Sequence, residues 1–157
     1  MIRMNQLMAT LLTRTKVDLS DFDQLAAPRE TIVLTTVGDS VLLEEELAHS
    51  KHVSLKDFED RIGYECFVNH VHLTCRSGKR SLLAALGYIA NLKRSLEEFR
   101  PNRAFVIIAS FSDGECTVRF HESRQNEKWL ADDIEGYKLE KILEIRTGDV
   151  SGSDQPL

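Results

Sequence analysis

The sequence predicts a single α+β domain, with a mainly antiparallel sheet of about four strands packed against helices. Three observations carry that expectation. From Lys79 to Phe99, the residues Leu82, Leu86, Ile89, Leu92, Leu96 and Phe99 recur in steps of three and four, the stripe of a long amphipathic helix. From Ala104 to His121, two apolar runs flank Ser112-Asp113-Gly114-Glu115, and a central Asp-Gly is a two-residue hairpin signature. The 157 residues are 42% apolar with only three prolines, enough for one core, and no linker divides them. The domain is expected over 1–150, with 151–157 as a tail.

At the start, Met4, Leu7, Met8, Leu11 and Leu12 form an apolar stripe while Arg3, Asn5, Gln6, Thr10 and Arg14 fall elsewhere, so a first amphipathic helix is expected. The lack of acid here also suits a mitochondrial presequence, but an apolar stripe of this length is ordinary for a core helix. Ser20 or Asp21 caps a short turn carrying Phe22 and Leu25, which Pro28 ends. Thr31 to Val37 is β-branched and reads as a strand stopped by Gly38-Asp39. Val41 to Ala48 reads as a short helix with Leu42, Leu43 and Leu47 inward and Glu44, Glu45 and Glu46 outward. Ser54 and Asp57 make a capping-box pattern for a helix that buries Leu55, Phe58 and Ile62 and stops at Gly63.

Tyr64 to Cys75 is the next strand expected. Phe67, Asn69, Val71 and Leu73 fall on one face, and Val68, His70, His72 and Thr74 on the other. In the hairpin that follows the long helix, Asp113 and Gly114 as turn residues fix the register. Phe111 then faces Cys116, Ala109 faces Val118 and Ile107 faces Phe120 on an apolar face; Ser110 faces Thr117, Ile108 faces Arg119 and Val106 faces His121 on a half-polar one. From Trp129 the chain reads as a tight turn or short helix through Ala131 to Glu135, then Gly136-Tyr137; residues 138–146 suit a strand or a helix ended by Gly148, and the strand is expected because Gly136 interrupts the helical version.

Composition excludes several classes of function. No apolar run approaches the ~20 residues of a membrane-spanning helix. Cys66, Cys75 and Cys116 are too few for a disulfide framework, so a reduced, intracellular chain is expected. A net charge of −5 argues against general nucleic-acid binding. That charge is unevenly spread. Residues 18–60 hold eleven acids against three bases, whereas 61–128 hold eleven bases against seven acids. Acidic segments on one face would attract a basic partner, although charge blocks also mark ordinary solvated helix faces.

Two groups of residues have the chemistry for a site. His70 and His72 lie two apart, so on a strand both imidazoles leave one face, as two metal ligands would; His121 or Asp132 is the candidate third ligand. No HExxH or CxxC pattern supports them. The second group is the run from Arg119 to Tyr137, with Arg119, His121, Glu122, Arg124, Trp129, Asp132, Asp133 and Tyr137. It reads in three ways: an acid–base pair of His121 with an anion-holding Arg119, a binding epitope around the single tryptophan, or a loop stapled by Arg119 and Arg124 to Asp132 and Asp133. The stapled loop is the expected arrangement. Arg76-Ser77-Gly78-Lys79-Arg80-Ser81 lacks the second glycine and the spacing of a phosphate loop, which leaves only a backbone anion site at a helix start as its functional reading.

At Phe67-Val68-Asn69-His70-Val71-His72-Leu73, and again from Val118-Arg119-Phe120-His121 through Trp129-Leu130-Ala131-Asp132-Asp133-Ile134-Glu135-Gly136-Tyr137, the sequence resembles small bacterial immunity proteins of polymorphic toxin systems. The resemblance covers the C-terminal half of the chain. It implies a cytoplasmic protein that binds and blocks a toxin, without catalysis or a cofactor. The expected function is therefore non-enzymatic binding of a protein partner, a basic toxin domain, through Trp129, Asp132, Asp133, Arg119, His121, Glu44 and Glu45. The alternative is a metal-binding or acid–base enzyme centred on His70, His72 and His121.

Overall fold

The computed structural model describes residues 1–26 and 31–148. Its centre is the hairpin that the Asp-Gly turn dictates. β5 (Phe105–Ser112) and β6 (Glu115–Glu122) pair antiparallel with Ser112 opposite Glu115, the register expected from the turn. Asp113 and Gly114 sit at φ 50 and 78, the left-handed pair that lets a two-residue turn follow the strand twist. β7 (Lys141–Arg146) pairs with β5, β1 (Ile2–Met4) with β7, and β4 (His70–Thr74) with β6, all antiparallel. The order is β1-β7-β5-β6-β4. A separate two-stranded ribbon joins β2 (Leu34–Val37) to β3 (Ser40–Leu43).

One face of the sheet carries Ile107, Ala109, Phe111, Val118, Phe120, Leu143 and Ile145 and is covered by α1 (Gln6–Thr15) and α4 (Lys79–Phe99). α4 has the expected bounds and buries Leu82, Leu86, Ile89, Leu92 and Leu96. The other face carries Val106, Ile108 and Ile142 and is covered by Leu130, Ile134 and Tyr137 of the segment between β6 and β7. This is the α+β class expected, with five strands in the main sheet.

Four local expectations are corrected. The N-terminal helix begins at Gln6 because Asn5 caps it, accepting from the Met8 N–H at 3.1 Å, and the preceding residues pair as β1. Val41 to Leu43 extend β3, so the acidic helix α2 is only Glu44–His49. The capping box closes a single 3-10 turn, Leu55–Asp57, with the Ser54 N–H donating to the Asp57 carboxylate at 2.8 Å. A new helix, α3 (Arg61–Val68), then runs through Gly63 to Val68. Its cap is Asp60, which accepts from the Gly63 N–H at 2.7 Å, so residues 64–68 are helical and the strand begins only at His70. The expected turn carrying Phe22 and Leu25 is a 3-10 helix, and of the turn expected through Ala131 to Glu135 only its end is helical, a 3-10 helix at Ile134–Gly136. The stop at Pro28 and the tail from Ser151 lie outside the described residues.

Candidate functional site

The polar half of the outer sheet face is the place where chemistry-bearing side chains gather. Strand alternation and register set His70, His72, Thr117, Arg119, His121 and Glu144 on that face, beside the segment that carries Trp129. Trp129 is 44% exposed and lies against the Arg119 guanidinium, 5.3 Å from the ring centroid. A cation–π contact of this kind contributes about 0.5–1 kcal/mol at an exposed site and biases the indole toward this position. Along the same edge, Phe67 lies 5.4 Å from Phe58 and 6.1 Å from His70, and His70 stacks edge-on to His72 at 5.1 Å. Phe67 is itself 38% exposed. The result is an exposed aromatic and imidazole strip next to the Trp129–Arg119 stack.

What holds the loop is not legible in the sequence. Glu65, on α3, is completely buried. Its carboxylate accepts from Arg124 Nη1 and Nη2, both at 2.8 Å, and from the Glu122 N–H at 3.1 Å. Arg124 also reaches Glu122 at 3.2 Å. The expected staple to Asp132 and Asp133 is therefore corrected, because the guanidinium turns inward to a desolvated carboxylate rather than outward to hydrated ones. Asp132 pairs instead with Lys128, and Asp133 accepts from the Glu135 N–H at 3.0 Å. Further ties fix the segment: Arg3 donates to the Asp132 carbonyl at 3.0 Å, the Gln6 N–H to Glu135 at 2.8 Å, and the Ala131 N–H to the Tyr137 hydroxyl at 3.1 Å.

The histidines do not converge. His121 is 3% exposed and donates from Nδ1 to the Glu122 carbonyl at 2.8 Å. His70 donates from Nδ1 to the Phe67 carbonyl, and His72 pairs with Glu115. Among the described residues no three His, Cys, Asp or Glu side chains are placed to hold a metal ion. The cavity beside His121 holds only about 50 Å³. Small-molecule sites need roughly 300 Å³ or more, so this cavity gives His121 no room for a substrate, and Arg119 does not line it. Burial pushes the Cys66 thiol up to about 12 and raises Cys75 and Cys116, so none is an activated nucleophile. Glu44 and Glu45 begin α2, and Glu45 lines a cleft with Val71 and Tyr88 on the helix-covered side. They do not join Asp132 and Asp133.

Burial lowers the His121 pKa from its ordinary 6.5, with the Glu122 carbonyl and the Glu65 charge opposing that shift and Arg124 adding to it. The sign follows. The folded state resists protonation more than the unfolded chain, so this contribution is complete above pH about 6.5 and is lost as pH falls toward the lowered value. Between those two values the slope approaches about 1.4 kcal/mol per pH unit. Urea midpoints at pH 7.5 and 5.5 are expected to fall further apart for the natural protein than for His121→Gln. Equal pH dependence in the two proteins would exclude a neutral buried His121.

The profile of the Uncharacterized protein PM0498 family matches residues 3–154. No curated protein and no solved structure matches the chain.

Proposed function

The chain belongs to the Uncharacterized protein PM0498 family, and for it we propose a non-enzymatic role as a cytoplasmic binding protein that blocks a basic partner, in the manner of an immunity protein. The observation that carries this reading is the exposed Trp129 held against Arg119 on a segment anchored by a fully buried carboxylate. An aromatic ring already biased toward one position loses less conformational freedom on docking, and such rings are enriched among the residues that dominate interface energetics. Charge supplies the partner's chemistry. Residues 125–140 hold five acids against two lysines, and Asp132, Asp133 and Glu135 are all exposed. A basic nuclease-type toxin domain would be drawn to that segment, and the resemblance at residues 67–73 and 118–137 points to the same class of partner.

The test uses a basic toxin encoded beside this chain in its source genome. Stoichiometric inhibition of that toxin is expected, with an association rate that falls steeply as salt rises. Asp132→Asn combined with Asp133→Asn is expected to slow association several-fold while changing dissociation little, because rim charges act on encounter. An inhibitor whose association is independent of salt and of both aspartates would overturn the acidic-loop reading.

A further inference from the structure

The turn between β5 and β6, the C-terminal turn of α1 and the segment between β4 and α4 enclose a cavity of about 530 Å³. That is within the roughly 300–1,000 Å³ of small-molecule sites. Its floor is apolar, with Leu82 and Phe111 from the core. Three cations line it, from three separate parts of the chain: Arg14, Arg76 and Lys141.

Lys141 is the informative one. It pairs with Phe111, so the strand alternation puts it in the row of Leu143 and Ile145, on the helix-covered face where an apolar residue belongs. It is half-buried, and its charge is felt at the Cys75 thiol on the same wall. No ion pair to Lys141, Arg14 or Arg76 occurs among the described residues. Two acids also reach the cavity lining, Asp113 and Glu115. Glu115 is engaged by His72 on the outer face, and Asp113 accepts from the Ser112 hydroxyl at 3.4 Å. With three cations against these two acids the lining keeps a net positive charge, and Lys141 is the half-buried cation among them.

We propose that this cavity binds a small amphiphilic anion, an organic acid whose hydrocarbon part rests on Leu82 and Phe111 and whose carboxylate is met by Lys141, Arg76 and Arg14. The site lies apart from Trp129 and does not depend on the toxin-blocking role. Its specificity comes from both halves of the ligand. The floor gives a neutral alkyl chain a weak hold, and the cations favour the acid over an alcohol of equal length.

The test is calorimetric titration of the purified protein with octanoate, octanol and inorganic phosphate as probes. Octanoate is expected to bind one per chain, about tenfold or more tighter than octanol, a difference of about 1.4 kcal/mol. Phosphate alone, which lacks an apolar part, is expected to bind more weakly than octanoate. Lys141→Met keeps the apolar volume and removes the charge, and is expected to weaken octanoate at least fivefold while leaving octanol unchanged. Arg76→Gln, on an exposed loop where folding is not at stake, is expected to act in the same direction. The proposal is overturned if octanol matches octanoate, if phosphate matches it, if octanoate does not bind in the millimolar range, or if both variants bind octanoate as tightly as the natural protein.

Discussion

Glu65→Ala is expected to lower the folding free energy by about 3–5 kcal/mol, the cost of removing one partner from a buried ion pair. The carboxylate has no exposed surface, and three donors end on it: both terminal nitrogens of Arg124 and the N–H of Glu122. Removal leaves a part-buried guanidinium with Glu122 as its remaining ion-pair partner and a buried amide without its acceptor. A domain with a total stability of about 5–15 kcal/mol tolerates such a loss narrowly. Urea denaturation of the variant gives the number. Glu65→Leu combined with Arg124→Met is expected to recover part of the loss by replacing both charges with apolar volume, but not all of it, because the Glu122 N–H still lacks its acceptor. A Glu65→Ala midpoint equal to that of the natural protein would mean that the pair does not anchor the segment after β6.

The hairpin and the long helix are legible in the sequence because each is fixed by local chemistry. Asp113-Gly114 sets the turn and the turn sets the register, so Arg119 falls opposite Ile108 and His121 opposite Val106. Lys79 to Phe99 repeats its apolar step without interruption, so helix bounds and buried face follow from spacing alone. Segment 64–69 misleads for the opposite reason. Gly63 reads as a stop, yet Asp60 captures its N–H and nucleates α3 across it. Once those residues are placed on a strand, alternation puts Glu65 at the end of the row of Phe67, Val71 and Leu73, where the spacing names no partner for it.

On the helix it faces Arg124, which lies 59 positions further along the chain, and no local pattern announces a partnership at that distance. The signal that exists is a single acid inside the apolar run from Ile62 to Val68, a position where a charge is costly unless it is paired. Asn69 is hidden in the same way. It is fully buried and ties β3 to β6, accepting from the Leu43 N–H at 2.9 Å and donating to the carbonyls of Val41 and Phe120. His70 and His72 do share one face, but two imidazoles do not make a metal site without a third ligand, and no three His, Cys, Asp or Glu side chains come together among the described residues.

Trp129→Ala carries the other large effect. A central aromatic in an interface typically costs about 2 kcal/mol or more on truncation, which is a loss of affinity of about thirtyfold, expressed mainly as faster dissociation. Trp129 is 44% exposed and belongs to none of the buried apolar clusters, so the thermal midpoint of the variant is expected to stay close to that of the natural protein. Trp129→Phe keeps a ring over Arg119 and is expected to retain most of the affinity. The contrast with Glu65→Ala separates the two roles, since one change removes the contact and the other loosens its support. The direct measurement is the dissociation constant of the proposed toxin complex for the natural protein, Trp129→Ala and Trp129→Phe. The docking role of this face predicts a loss of about thirtyfold or more for alanine, near-natural affinity for phenylalanine and unchanged folding for both; equal affinity across all three would contradict it.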